Sequence, residues 1–128
     1  MDYLLDTHTL IWYFKEDAQL SKKALDCIQN PDSENYISVV SLWEMAVKIS
    51  LNKLNISRPF REYINDIISS GISILPIQNE DNVLVSSLPF HHRDPFDRML
   101  IAQAINGKMS IISKDDTFSM YNDLKVIW

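Results

Sequence analysis

Short apolar runs along this chain alternate with longer stretches in which apolar residues recur every three or four positions. Five runs have the length and composition of buried strands, and they lie at Tyr3 to Leu5, Tyr36 to Val40, Ile72 to Leu75, Ser110 to Ile112 and Lys125 to Trp128. Strands that alternate with helices predict a parallel sheet covered by helices on both faces. We therefore expect an α/β fold with a central parallel sheet of about five strands.

Helix-start and helix-stop residues bound the segments between these strands. After a first short helix, the predicted helices are Gln19 to Gln29 with Ser21 as N-cap, Ser41 to Leu51, one opened by Pro59 and ended by Gly71, a weaker one from Asn79 to Ser87, and one opened by Asp94-Pro95 and closed by Asn106-Gly107. Ser41 to Glu44 fits a capping box, in which the glutamate accepts from the Ser41 amide. No linker or repeat interrupts the pattern, so we expect one domain spanning residues 1–128.

Composition narrows the class of protein. With 128 residues, 46% of them hydrophobic, the chain supports one core. Cys27 is the only cysteine, so no internal disulfide can form and the cytosol is the default compartment. Asp2 stands where a signal peptide carries positive charge, and no apolar run approaches the ~20 residues that span a bilayer. We expect a soluble, cytoplasmic protein, and the two glycines exclude a glycine-rich phosphate loop.

Four carboxylates lie where predicted strands give way to predicted helices: Asp6, Glu44, Asp97 and Asp115. Ligands of open parallel sheets bind beyond the carboxyl ends of the strands, so all four should face one edge. Taken singly, each acid is explained as a helix-start residue. Together they would repel one another unless a divalent cation neutralised them, and oxygen ligands without a cysteine or a histidine pair favour Mg²⁺ or Mn²⁺.

The net charge of −5 argues at first against a nucleic-acid partner. If four of the acids hold metal, however, the remaining charge is close to neutral and bound cations make the local field positive. The overall acidity therefore does not exclude nucleic acid.

Several motifs resemble those of PIN-domain proteins, and among them VapC-type toxins. The matching segments, which follow the expected order along nearly the whole chain, are Leu4-Leu5-Asp6-Thr7-His8, Ser41-Leu42-Trp43-Glu44 with Lys48, His92 to Ala104 including Asp94-Pro95-Phe96-Asp97-Arg98, and Ile112-Ser113-Lys114-Asp115 with Phe118. One departure is Asn52, where relatives commonly have glycine before the lysine. Asparagine tolerates the left-handed conformation, so we expect the turn to be kept.

This resemblance implies a three-layer α/β/α domain, an acidic metal site, endoribonuclease activity and neutralisation by a cognate antitoxin, with dimers and toxin–antitoxin assemblies. By position, Asp6, Glu44, Asp97 and Asp115 are the metal-binding and catalytic acids, and Ser113 supports them. Asp6 and Asp97 would be the principal ligands. Asp94 is the rival to Asp97, but Pro95 after it favours an N-cap role.

Other polar and aromatic residues have weaker assignments. We expect His92, Arg93, Arg98 and Lys48 to line the rim of the site and contact RNA phosphates, and His8 and Cys27 to be structural. Trp12, Tyr13, Phe14 and Trp43 belong either to the core or to a groove for an antitoxin helix. A Mg²⁺-dependent phosphohydrolase or receiver-like domain and a non-catalytic binding module remain the alternative functions.

Overall fold

A computed structural model describes all 128 residues. Its five strands are β1 (Asp2–Leu5), β2 (Glu34–Ser38), β3 (Ser73–Leu75), β4 (Ser110–Ile112) and β5 (Val126–Ile127). Its helices are α1 (Thr7–Lys15), α2 (Lys22–Gln29), α3 (Val39–Ser50), α4 (Phe60–Ser69), α5 (Asn79–Val85) and α6 (Pro95–Asn106), with a 3-10 helix at Asp116–Met120. No helix has the length and apolar character that crossing a membrane requires.

The strands form one parallel sheet in the order β3-β2-β1-β4-β5. The chain builds outward from β1 in one direction through β2 and β3, and then in the other through β4 and β5. The order therefore reverses between β1 and β4, and such a switch point is where open parallel sheets form ligand sites.

Two apolar clusters cover the two faces of the sheet. Successive strand residues point to opposite faces, so Leu4 packs into the cluster with Leu100, Ile111 and Phe118, whereas Leu5 packs into the other cluster. Fully burying one such leucine contributes roughly 1.5–3 kcal/mol. The predicted three-layer α/β/α arrangement around a five-stranded parallel sheet is confirmed.

The start of α3 differs from the sequence prediction. The helix begins at Val39, and Ser38 is its N-cap, because the Ser38 hydroxyl accepts a hydrogen bond of 3.0 Å from the Val40 amide. The predicted capping box between Ser41 and Glu44 is therefore wrong. Because α3 begins earlier than predicted, Glu44 lies in its second turn. There its carboxylate caps no amide and faces the edge of the sheet where the strands end.

Five residues have positive φ, and three of them lie in the turns that follow α3, α4 and α6. Gly71 ends α4 with φ of 90°, and Asn52 follows α3 with φ of 56°, both as expected. After α6 the left-handed residue is Lys108, with φ of 54°, rather than Gly107. At Gly107 an added Cβ would lie 2.7 Å from the Met109 Cε and 3.1 Å from the Gln103 carbonyl oxygen, so a larger residue would require the flexible end of Met109 to move.

Candidate active site

Asp6 lies immediately after β1, beside the switch point. Its amide donates to the Ile112 carbonyl at 3.1 Å, which continues the pairing with β4. The Ser113 hydroxyl, at the end of β4, donates to Asp6 Oδ2 at 2.7 Å. Burial raises the pKa of Asp6, and the hydrogen bond from Ser113 opposes that shift. The two central strands thus hold the Asp6 carboxylate in a defined orientation.

Glu44 is buried, and both of its oxygens have partners. The Thr7 hydroxyl donates to Oε1 at 2.8 Å, and Lys48 Nζ donates to Oε2 at 2.8 Å. Ser41 Oγ lies 2.8 Å from the same Thr7 hydroxyl. Lys48, which was expected to contact RNA, therefore forms an ion pair within the site, one helical turn after Glu44.

Asp115 is held by three groups on different parts of the chain. Its Oδ1 accepts from the Thr117 amide at 2.9 Å, its Oδ2 lies 3.1 Å from His92 Nε2, and its own amide donates to Ser113 Oγ at 3.0 Å. Burial raises the pKa of Asp115, but the hydrogen bonds from Thr117 and His92 outweigh it and leave the pKa below its ordinary value. This carboxylate is thus held in its ionised form.

Asp97 is in the first turn of α6 and has the opposite electrostatic environment. Burial, followed by the negative charges of Asp94, Asp6, Glu44 and Asp115, raises the pKa of Asp97 to about 7. Asp94 itself caps α6, because its Oδ1 accepts from the Phe96 amide at 2.8 Å and the Asp97 amide at 3.4 Å. The N-cap role predicted for Asp94 is confirmed.

All four predicted acids converge on one cavity of about 350 Å³. Its lining residues are the carboxylates Asp6, Glu44, Asp94, Asp97 and Asp115, together with His8, Trp12, Lys48 and Lys114. Ser113 bridges two of these acids through its hydrogen bonds with Asp6 and Asp115. Five carboxylates and two lysines therefore line the cavity, so carboxylates dominate its charged lining.

Two residues expected on the rim are buried. Arg98 is 6% exposed, and its guanidinium donates to four backbone carbonyls, so it is structural and not available to RNA. His92 is 8% exposed and stacks between Phe118 and Tyr121. Backbone carbonyls enclose Arg98 and aromatic rings cover His92, and both environments depend on the path of the segment between α5 and α6. Arg93 is exposed, and its contact with RNA remains a prediction.

Three aromatic residues lie at the surface or at the wall of the cavity, and for Trp43 this excludes the core and leaves the antitoxin groove open. His8 was expected to be structural, yet it is exposed and lines the cavity. Trp43 is 62% exposed and meets the Phe96 ring at a centroid distance of 5.0 Å, so it does not belong to the core. Trp12 is half-buried at the cavity wall. The position of His8 two residues after Asp6, at the start of a helix, was the one local indication of its place in the site.

The donor set suits Mg²⁺ or Mn²⁺. Ligand atoms of His92, Asp97 and Asp115 lie within 4.8 Å of one another, and the surrounding groups are mostly carboxylate oxygens, which hard divalent cations prefer. The raised pKa of Asp97 shows that, without a cation, the cavity does not readily hold all of its carboxylates ionised. His92 was not foreseen as part of this group, because adjacent histidines do not form a ligand pair.

We predict that Asp97→Asn stabilises the metal-free protein at about pH 8. In the folded state the pKa is about 7, whereas the unfolded chain keeps the ordinary 3.8, so the wild type loses stability as pH rises between these values. Allowing for solvent screening, the asparagine variant should be more stable by about 1–2 kcal/mol at pH 8, with little difference below about pH 4.

Urea unfolding with a chelator, at both pH values, measures this difference. Asp116→Asn is the matched control, since Asp116 is exposed and does not line the cavity. A less stable Asp97→Asn protein at the higher pH would contradict the expected repulsion.

Comparison with known families gives one match over nearly the whole chain. The family model described as PIN domain matches residues 3–124. No curated protein is close enough in sequence to match.

Solved structures with similar folds include three VapBC complexes. VapBC2 from Rickettsia felis, bound to a DNA fragment from its promoter, has a TM-score of 0.76 at 14% identity and covers 99% of this chain and 98% of its own. VapBC-1 from nontypeable Haemophilus influenzae has a TM-score of 0.69 at 16% identity, with 99% and 97% coverage. VapBC-5 from Mycobacterium tuberculosis, of the VapBC family of toxin-antitoxin systems, has a TM-score of 0.65 at 20% identity, with 98% and 97% coverage. At these identities the likeness shows the fold.

Proposed function

This chain belongs to the PIN-domain family, and from that premise we propose that it is a metal-dependent endoribonuclease acting as the toxin of a toxin–antitoxin pair. The observation that carries the proposal is the convergence of Asp6, Glu44, Asp97 and Asp115 on one open cavity. Carboxylates that lie this close together lower the stability of the folded state unless they bind cations. RNA is the substrate class that the resemblance to VapC-type toxins favours.

In this mechanism Asp6 and Asp97 would be the principal ligands of Mg²⁺ or Mn²⁺, and Glu44 and Asp115 would support them. When bound, the ion supplies positive charge that offsets the charge building on the phosphoryl group and makes a nearby water a better nucleophile.

The chain's own residues keep the acids in place. Ser113 orients Asp6, the Thr7 hydroxyl and Lys48 fix the two oxygens of Glu44, and His92 and the Thr117 amide fix Asp115. No side chain donates a hydrogen bond to the Asp97 carboxylate. Of the four acids, Asp97 therefore depends most on a bound cation to stay ionised. Holding these groups before substrate arrives lowers the reorganisation that cleavage requires.

The proposed antitoxin partner fits a second surface. Tyr13, Phe14, Leu20 and Leu25 line a cavity of about 460 Å³ near the junction of α1 and α2, and Glu16 and Asp17 stand at its rim. Apolar anchors with an acidic rim suit an amphipathic helix that carries basic residues. The similar folds come from toxin–antitoxin complexes, which supports such a partner and a homodimer within the complex.

An RNA cleavage assay with purified protein tests the proposal. We expect no cleavage in a chelator, cleavage when Mn²⁺ or Mg²⁺ is restored, and suppression when the small protein encoded by the neighbouring reading frame is added. Mn²⁺ should also raise the melting temperature, because it binds the folded state. An inactive protein whose melting temperature ignores metal would favour the binding-module alternative.

A further inference from the structure

A groove continues from the acidic cavity along α1, and its charge is opposite. It has a volume of about 280 Å³ and shares His8, Trp12 and Lys48 with the acidic cavity. Its other polar lining includes Lys15 and Lys53, and no carboxylate lines it. We call this surface, defined by His8, Trp12, Lys15, Lys48 and Lys53, the basic groove. In a chain of net charge −5 it is a local concentration of cations.

Local structure brings these residues together. His8, Trp12 and Lys15 are spaced four and three residues apart, which places them on one face of α1. Lys53 arrives from the other side, because the chain reverses at Asn52, which has φ of 56°, and the Lys53 amide then donates to the Lys48 carbonyl at 2.8 Å. The left-handed turn at Asn52 thus sets one wall of the basic groove.

The cations of the basic groove are largely free of carboxylate partners. Lys15 and Lys53 are exposed and form no ion pair, whereas Lys48 is neutralised by Glu44. Lys114, also exposed and unpaired, places its Nζ 5.8 Å from the centroid of the Trp12 ring. Trp12 therefore shares the basic groove with the unpaired Lys15 and Lys53, and the acidic cavity with the unpaired Lys114.

We propose that the basic groove is the subsite for the nucleotide next to the scissile phosphate, with its base stacked on Trp12 and its phosphate contacted by Lys15 and Lys53. The proposal rests on the ribonuclease function proposed above. An aromatic ring flanked by cations is the recognition chemistry of single-stranded nucleic acid, and it tolerates any base. A strand whose phosphate lies at the carboxylates continues into this groove, because the two cavities share Trp12, His8 and Lys48.

Binding of a fluorescein-labelled single-stranded oligoribonucleotide of about ten nucleotides, followed by anisotropy, tests the proposal in an Asp6→Asn background that does not cleave the probe. We expect Trp12→Leu to weaken binding about tenfold and Trp12→Phe to retain most of it. Trp12→Leu should not change binding of an abasic probe of the same length, because no base remains to stack.

The salt dependence of RNA binding tests the roles of Lys15 and Lys53 separately. Lys15→Gln/Lys53→Gln should lower the dependence of log Kd on log salt by about 1.4, since each lost contact to a single strand removes about 0.7. The matched control is Lys23→Gln/Lys125→Gln, which removes two exposed lysines that do not line either cavity and form no ion pair. The control should bind the probe as the parent does.

The other outcomes separate the two proposals. The nuclease function stands and the subsite is wrong if the wild type cleaves RNA in Mn²⁺ and the basic-groove substitutions change neither binding in the Asp6→Asn background nor cleavage in the Asp6 protein. If the wild type neither cleaves nor binds RNA, the proposed function itself fails, and the subsite with it. If these variants lose binding of a polyglutamate peptide and keep binding of RNA, the groove receives an acidic protein segment and the proposal is overturned.

Discussion

Replacing Asp6 with asparagine is expected to reduce RNA cleavage by at least about a hundredfold while the protein stays folded. Asn keeps the size of the side chain and can still accept from the Ser113 hydroxyl, so the packing at the end of β1 is preserved. What is lost is one negative charge at the switch point between β1 and β4. In the proposed mechanism that charge is a principal ligand, and no neighbouring group replaces it.

Cleavage rates at saturating Mn²⁺, together with melting curves with and without Mn²⁺, measure this effect. The variant should lose most of the rise in melting temperature that Mn²⁺ gives the wild type. Asp116→Asn, an exposed aspartate one residue beyond Asp115, should retain both activity and the response to metal. An Asp6→Asn protein as active as the wild type would remove Asp6 from the site and with it the proposed mechanism.

Replacing Arg98 with methionine is expected to destabilise the fold by about 3–5 kcal/mol, because buried carbonyls lose their donors. Nη1 donates to the carbonyls of Pro89 and His92 at 3.1 and 3.4 Å. Nη2 donates to those of Val85 and Leu88 at 3.0 and 3.3 Å. Methionine fills much of the same volume but leaves the buried carbonyls of Leu88 and His92 without a donor, whereas Pro89 keeps the Tyr121 hydroxyl and Val85 keeps the Leu88 amide.

The substitution also affects the site. The four carbonyls lie at the end of α5 and in the segment that follows it, and this segment holds His92 against Asp115. We expect a fall in cleavage activity as well as in the urea midpoint, since Asp115 loses a fixed partner. Arg98→Lys should be intermediate, because one ammonium cannot replace the two-sided guanidinium. Arg93→Met, at an exposed arginine of the same segment, should stay within about 0.5 kcal/mol of the wild type, and an equal loss in both variants would contradict the anchoring role.

Sequence reasoning succeeded where the responsible forces are local. The N-cap roles of Ser21 and Asp94 were predicted from the residues that follow them. In the structure the Ser21 hydroxyl and the Asp94 carboxylate each accept hydrogen bonds from amides in the first turn of the helix. It failed at the start of α3, because Ser38 and Ser41 are both suitable caps and sequence alone does not decide which residue ends β2. The strand pairing with β1 and β3 decides it.

The sequence by itself determined the parallel α/β fold and the gathering of four acids at one edge, because strand and helix periods and the carboxyl ends of parallel strands follow from local pattern and topology. Only the tertiary structure decided which charges are buried. Arg98, in α6, and His92, in the irregular segment before it, are buried, whereas Arg93 and His91 are exposed. The pairing of His92 with Asp115 joins two segments that are far apart in the sequence. The basic groove likewise arises where a helix face meets a turn, so no single stretch of sequence contains it.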